Sequence, residues 1–163
     1  MSDTPTRILA LDVITKGFGY VVFELPFHLV SFNVAFIEGD KRTGALARLA
    51  GLLDRVRPNV LLLEDAEAPG SRRRPRVRQL LEDLARLARE RGVVVRTVPR
   101  TAILARFAPE GGRISKQAIA AQLVRIFPEI ASQLPPRRRI WESEDHRTGM
   151  IDALALAVTY ASK

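Results

Sequence analysis

Ile8-Leu9-Ala10-Leu11-Asp12, near the start of the chain, is a short apolar run that stops on an acid. Val60-Leu61-Leu62-Leu63-Glu64 does the same, and Asp152 opens a third apolar stretch, Ala153-Leu154-Ala155-Leu156-Ala157-Val158. The two short runs read as buried strands and the longer stretch as a buried helix. A carboxylate set into a core element is costly unless it is paired or binds a metal. Three of them on three core elements point to a divalent-cation site.

Outward from these acids, residues 7–14 read as a buried strand followed by a tight turn at Thr15-Lys16-Gly17. Residues 18–25 and 29–37 are β-branched and aromatic, separated by Pro26, and predict a hairpin or meander. Gly39 to Gly44 reads as the next break. Apolar residues at 45, 46, 49, 52, 53 and 56 then make a helical stripe that Pro58-Asn59 stops before the second acid-ended strand, 60–64. An arginine-rich loop spans 66–75. Positions 77, 80, 81, 84, 87 and 88 form the clearest amphipathic helix, closed by Gly92. Residues 93–98 predict a strand, and Thr101 to Phe107 a short helix broken by Gly111-Gly112. Ser115 is placed to cap a helix carrying Ile119, Leu123, Ile126 and Phe127 on one face and ending at Pro128. A basic loop, 135–139, and Trp141, which reads as a lid on the core, precede a final helix over about 148–161. The strand-rich start and alternating remainder predict an α/β fold, a mixed sheet with helices on its faces.

One domain is the expectation for 163 residues. With 47% apolar and 27% charged residues the composition is that of a folded protein, not a disordered one. No stretch approaches the length of a membrane span, and no signal-peptide layout opens the chain, so the expected location is the cytoplasm. The absence of cysteine excludes disulfides and thiolate metal sites. Twenty-six basic against 18 acidic residues leave a net charge of +8, and only four of the bases are lysine. Clustered arginine, which meets phosphate with a planar fork, points to nucleic acid as the partner.

The order of elements, with carboxylates ending the first and fourth strands and opening the last helix, resembles the ribonuclease H-like fold and, within it, the RuvC-like Holliday-junction resolvase family. That family begins with Asp-Pro-Gly-Thr-x-x-x-Gly-Tyr. Here Asp12-Val13-Ile14-Thr15-Lys16-Gly17-Phe18-Gly19-Tyr20 keeps the Asp, Thr, Gly and Tyr at the same spacing. Leu62-Leu63-Glu64 matches its second motif, Gly111-Gly112-Arg113-Ile114-Ser115-Lys116 its glycine–lysine segment, and Asp152-Ala153-Leu154-Ala155-Leu156-Ala157 its closing one. The resemblance covers nearly the whole chain and implies a central five-stranded mixed sheet flanked by helices. It departs in three places. Val13-Ile14 replaces Pro-Gly. Gly149 stands where the family has a fourth acid or a histidine, three residues before Asp152. The loop after Glu64 lacks the aromatic residue that probes the junction.

Phosphodiester hydrolysis needs an activated water and stabilisation of charge on the phosphate and leaving oxygen, both of which a pair of divalent metals supplies. Mg2+, with Mn2+ as a substitute, suits carboxylate oxygen. By the resemblance, Asp12 bridges the metals, Glu64 completes one site and Asp152 the other. Between Glu64 and Asp65, strand alternation favours Glu64. The missing ligand is sought just upstream of the last helix, in Asp145, with His146 and Glu144 as alternatives. Arg72, Arg73, Arg74, Arg76 and Arg78, beside the second acid, are candidates to clamp a DNA backbone, as is Lys116. The implied activity is a Mg2+-dependent endodeoxyribonuclease selective for branched DNA. The rival is a catalytically silent DNA-binding or assembly module of the same fold. A two-fold homodimer is implied by the resemblance only, since the 77–88 stripe is more simply core.

Overall fold

Successive side chains of a strand point to opposite faces, and the first strand, β1 (Arg7–Ile14), divides accordingly. Ile8 and Ala10 enter one apolar layer while Leu9, Leu11 and Val13 enter the other. Asp12 falls on the Ile8–Ala10 face. The computed structural model describes residues 4–69, 71–133 and 148–162. In chain order its elements are β1, β2 (Gly17–Glu24), β3 (His28–Phe36), α1 (Lys41–Val56), β4 (Val60–Glu64), α2 (Pro75–Glu90), β5 (Val94–Val98), α3 (Arg100–Phe107), α4 (Lys116–Ile126), a 3-10 turn at Pro128–Gln133, and α5 (Thr148–Ala161).

The five strands form one mixed sheet in the order β3-β2-β1-β4-β5. β1 to β3 are an antiparallel meander, whereas β4 and β5 run parallel to β1. Helices α1 and α2 cover one face and α3, α4 and α5 the other. β1 and β4 are buried on both faces, which is why they read as unbroken apolar runs. The hydrophobic stripe of α2 lies against the core, with Leu81, Leu84, Ala85 and Ala88 fully covered. Among the described residues no helix is long and apolar enough to cross a membrane.

One local reading changes. The break read from Gly39 to Gly44 ends after Asp40: α1 starts at Lys41 because the Asp40 carboxylate caps it, accepting from the Thr43 N–H at 2.8 Å. Gly44 lies inside that helix, where a Cβ would meet the Ile37 side chain at 2.2 Å. The Val13-Ile14 replacement also has a visible consequence. β-branched residues favour extended backbone, so β1 runs on past Asp12 to pair Ile14 with Gly17, leaving a two-residue turn.

Candidate active site

The parallel pairing of β1 and β4 matches Ala10 with Leu62, two residues before the acid on each strand. Both chains therefore reach their carboxylates in step. Glu64 shares its face with Val60 and Leu62, the face that α5 covers, so Asp12 and Glu64 project to the same side. Asp65 lies past the strand, where its N–H donates to the Val98 carbonyl and its carboxylate accepts from the Glu67 N–H.

Asp152 comes from the first turns of α5, which crosses β2 and β1 at very close range. Gly19, the pairing partner of Asp12, makes that approach possible. A Cβ on Gly19 would lie 2.1 Å from the Gly149 carbonyl carbon and the Met150 nitrogen. At Gly149 a Cβ would meet Ile14 Cγ2 at 2.5 Å and the Gly19 nitrogen at 3.2 Å. A side chain at Gly19 would have to push the helix away, and one at Gly149 would have to displace Ile14, so the close crossing favours glycine at both positions. Asp145, Glu144 and His146, the candidates for that ligand, lie outside the described residues, as do Trp141 and the basic loop 135–139.

Arg73 is the site's least expected member. Its Nη2 donates to Asp12 Oδ1 at 2.5 Å, its Nε to Glu64 Oε2 at 2.7 Å, and its Nη1 to the Val13 carbonyl at 3.2 Å. Lys116, at the start of α4, brings its Nζ to 3.3 Å from Asp152 Oδ2. Three carboxylates thus share one corner with two cations. Burial drives the Asp12 carboxyl well above the usual carboxylate range, and Asp152 and Glu64 add to the rise. The opposing pull of Arg73 and Lys116 is smaller. Contact with Asp12 and Glu64 in turn pushes the Arg73 guanidinium further towards its charged form, outweighing its own burial.

The other sequence candidates lie nearby without entering the corner. Arg72, Arg74 and Arg76 are exposed and Arg78 is half-buried. Arg74 precedes Pro75 at the start of α2, and that first turn contains no acid. Basic side chains gathered at the positive end of a helix oppose its dipole, a cost that an anionic partner would relieve. Arg73 was legible only as one base among several; nothing in an irregular tripeptide of arginines says which one turns inward.

The donor set of Asp12, Glu64 and Asp152 is all carboxylate oxygen and carries more negative charge than its two cations offset, which suits a hard divalent ion. As arranged, no three acids among the described residues stand close enough together to hold one. Arg73 lies between the first two, and Lys116 meets the third.

No family model and no curated protein matches the chain. Solved structures do. Thermus thermophilus RuvC is similar with a TM-score of 0.63 at 20% identity, over 95% of this chain and 93% of that one. The T. thermophilus RuvC complex with Holliday junction substrate gives 0.63 at 19%, over 96% and 92%. The yeast mitochondrial Holliday junction resolvase Ydc2 gives 0.65 at 16%, over 96% of this chain and 78% of that one. The chain accordingly shares its fold with RuvC and Ydc2.

Proposed function

We propose that this chain is a divalent-metal-dependent endonuclease selective for branched DNA, four-way junctions foremost, acting as a single nuclease domain. The observation that carries the reading is the meeting of Asp12, Glu64 and Asp152 at one corner of a RuvC-type fold, beside an exposed run of arginines. Asp12, the most buried of the three, Glu64 and Asp152 would hold the divalent ions, with Asp145 as the proposed fourth ligand. Mg2+ or Mn2+ bound there would supply an activated water and offset charge on the phosphate. Cleavage breaks the bond from phosphorus to the 3′ oxygen, adds the water oxygen to phosphorus, and leaves a 5′-phosphate and a 3′-hydroxyl.

Each protein group has a task in this scheme. The carboxylates fix the cations, while Lys116 and the arginines at 72, 74, 76 and 78 grip backbone phosphates without reading bases. A homodimer belongs to the same proposal, since two copies would cut opposed strands symmetrically. One observation favours the rival, a module that holds DNA without cutting it: Arg73 already bridges the Asp12–Glu64 pair and offsets part of its charge. A labelled four-way junction and a matched linear duplex, incubated with the protein in Mg2+, Mn2+ or chelator, separate the two. We expect metal-dependent cutting of the junction in preference to the duplex. Tight junction binding with no cutting in either metal would establish the rival.

A further inference from the structure

Arg73 occupies one oxygen of each of the two carboxylates, Asp12 and Glu64, that a metal held between them would use. Its Nη2 and Nε meet Asp12 Oδ1 and Glu64 Oε2, one carboxylate each, and the Val13 carbonyl holds the third nitrogen. The guanidinium is permanently charged. A second cation on the same two oxygens would face it across a few ångströms in a mostly buried corner, where little water screens the repulsion. The two cations therefore exclude one another.

The segment that carries Arg73 is also built to let go. Residues 71–74 belong to neither β4 nor α2. The Arg73 N–H reaches only the Ser71 hydroxyl, at 3.4 Å, so moving residue 73 itself breaks no sheet or helix hydrogen bond, while the Arg74 carbonyl, accepting from the Arg78 N–H at 3.0 Å, keeps the segment tied to α2. The side chain is 25% exposed, which leaves a way out to solvent. Exposed Arg72 and Arg74 flank it, so a released guanidinium joins the cationic surface beside the acids.

We propose that Arg73 is the resident counter-ion of this site: it holds Asp12 and Glu64 together in the metal-free protein, and a divalent ion takes the pair only by displacing it. The inference rests on the carboxylates being a metal site, as proposed above. Metal affinity is then set by Arg73 as much as by the ligands. The protein without DNA binds metal weakly, and a backbone phosphate that draws the guanidinium away strengthens metal binding.

Direct Mn2+ binding to the full chain without DNA tests this, by titration calorimetry or by the electron paramagnetic resonance signal of unbound Mn2+. We expect Arg73→Gln to bind Mn2+ at least about tenfold more tightly than wild type, because the competing charge is gone. Arg73→Lys, a single point charge in place of a fork, should fall between. Asp12→Asn should abolish the site, and Mn2+ should raise the melting temperature of Arg73→Gln more than that of wild type. Equal or weaker binding by Arg73→Gln, with Asp12→Asn still losing the site, would overturn the inference and leave the metal reading standing. No Mn2+ binding by any variant would overturn both. If Arg73→Gln fails to fold, Arg73→Lys is read by the same criterion.

Discussion

Asp12 is charged at a cost. Its carboxyl is driven above the usual range first by burial and then by Asp152 and Glu64, so over a window above about pH 4 the folded protein holds a proton that the unfolded chain has lost. Stability without metal therefore falls as pH rises through that window, and the whole cost is present beyond it. Removing the charge removes the cost. Asp12→Asn, melted in chelator at pH 7, should gain about 2–4 °C, the shift that about 1 kcal/mol makes in a domain of this size; an unchanged or lower melting temperature would count against it. The position of Asp12, like those of Glu64 and Asp152, could be read from the sequence because an acid interrupting an apolar run stands out against its neighbours. The inward turn of Arg73 could not. Its segment has no period, and the oxygens it finds come from residues 61 and nine positions away.

Between elements, the decisive contact is backbone against backbone, where α5 crosses β2 at Gly19 and Gly149. Gly19→Ala must push the helix outward and should cost about 3 kcal/mol in urea unfolding, the upper end of overpacking penalties. A cost near zero would mean that the crossing is looser than described. Asp83 is the other device at this scale, a buried acid of α2. It accepts from Arg42 of α1 at 2.8 Å and from Gln79 at 3.1 Å. The Arg42 hydrogen bond is the largest influence holding Asp83 below the usual carboxylate range. A carboxylate depressed in the fold stabilises above the unfolded value and loses that contribution as pH falls through the folded one. Asp83→Asn should accordingly cost about 1 kcal/mol at pH 7, a modest figure because Arg42 is largely exposed, and the gap from wild type should close below about pH 4. Equal gaps at both pH values would contradict the charge-based account. Helix and strand positions were legible from hydrophobic period, but these contacts were not. By sequence Gly149 reads as a missing ligand and Gly44 as part of a break, whereas a Cβ at the first would crowd Ile14 and Gly19 and at the second Ile37.

For the molecule as a whole, a net charge of +8 points to an anionic partner from composition alone. The fold was legible because three acid-marked elements in fixed order leave few ways to bring them together, and the mixed sheet is one that does. The proposed fourth ligand was not, since its candidates, Glu144, Asp145 and His146, carry no period. If the arginines beside Glu64 grip phosphates, junction affinity should fall with salt at a log–log slope of about −0.9 per contact. Arg72→Ala, Arg74→Ala and Arg76→Ala should each flatten that slope by about 0.9 while weakening junction and duplex alike; a slope unmoved by all three would place the DNA elsewhere. The most direct measurement compares wild type with Asp12→Asn for both binding and cutting of the same four-way junction in Mg2+. We expect the variant to bind as well as wild type and to cut nothing. Cutting by Asp12→Asn at the wild-type rate would contradict the central claim that these carboxylates do the chemistry.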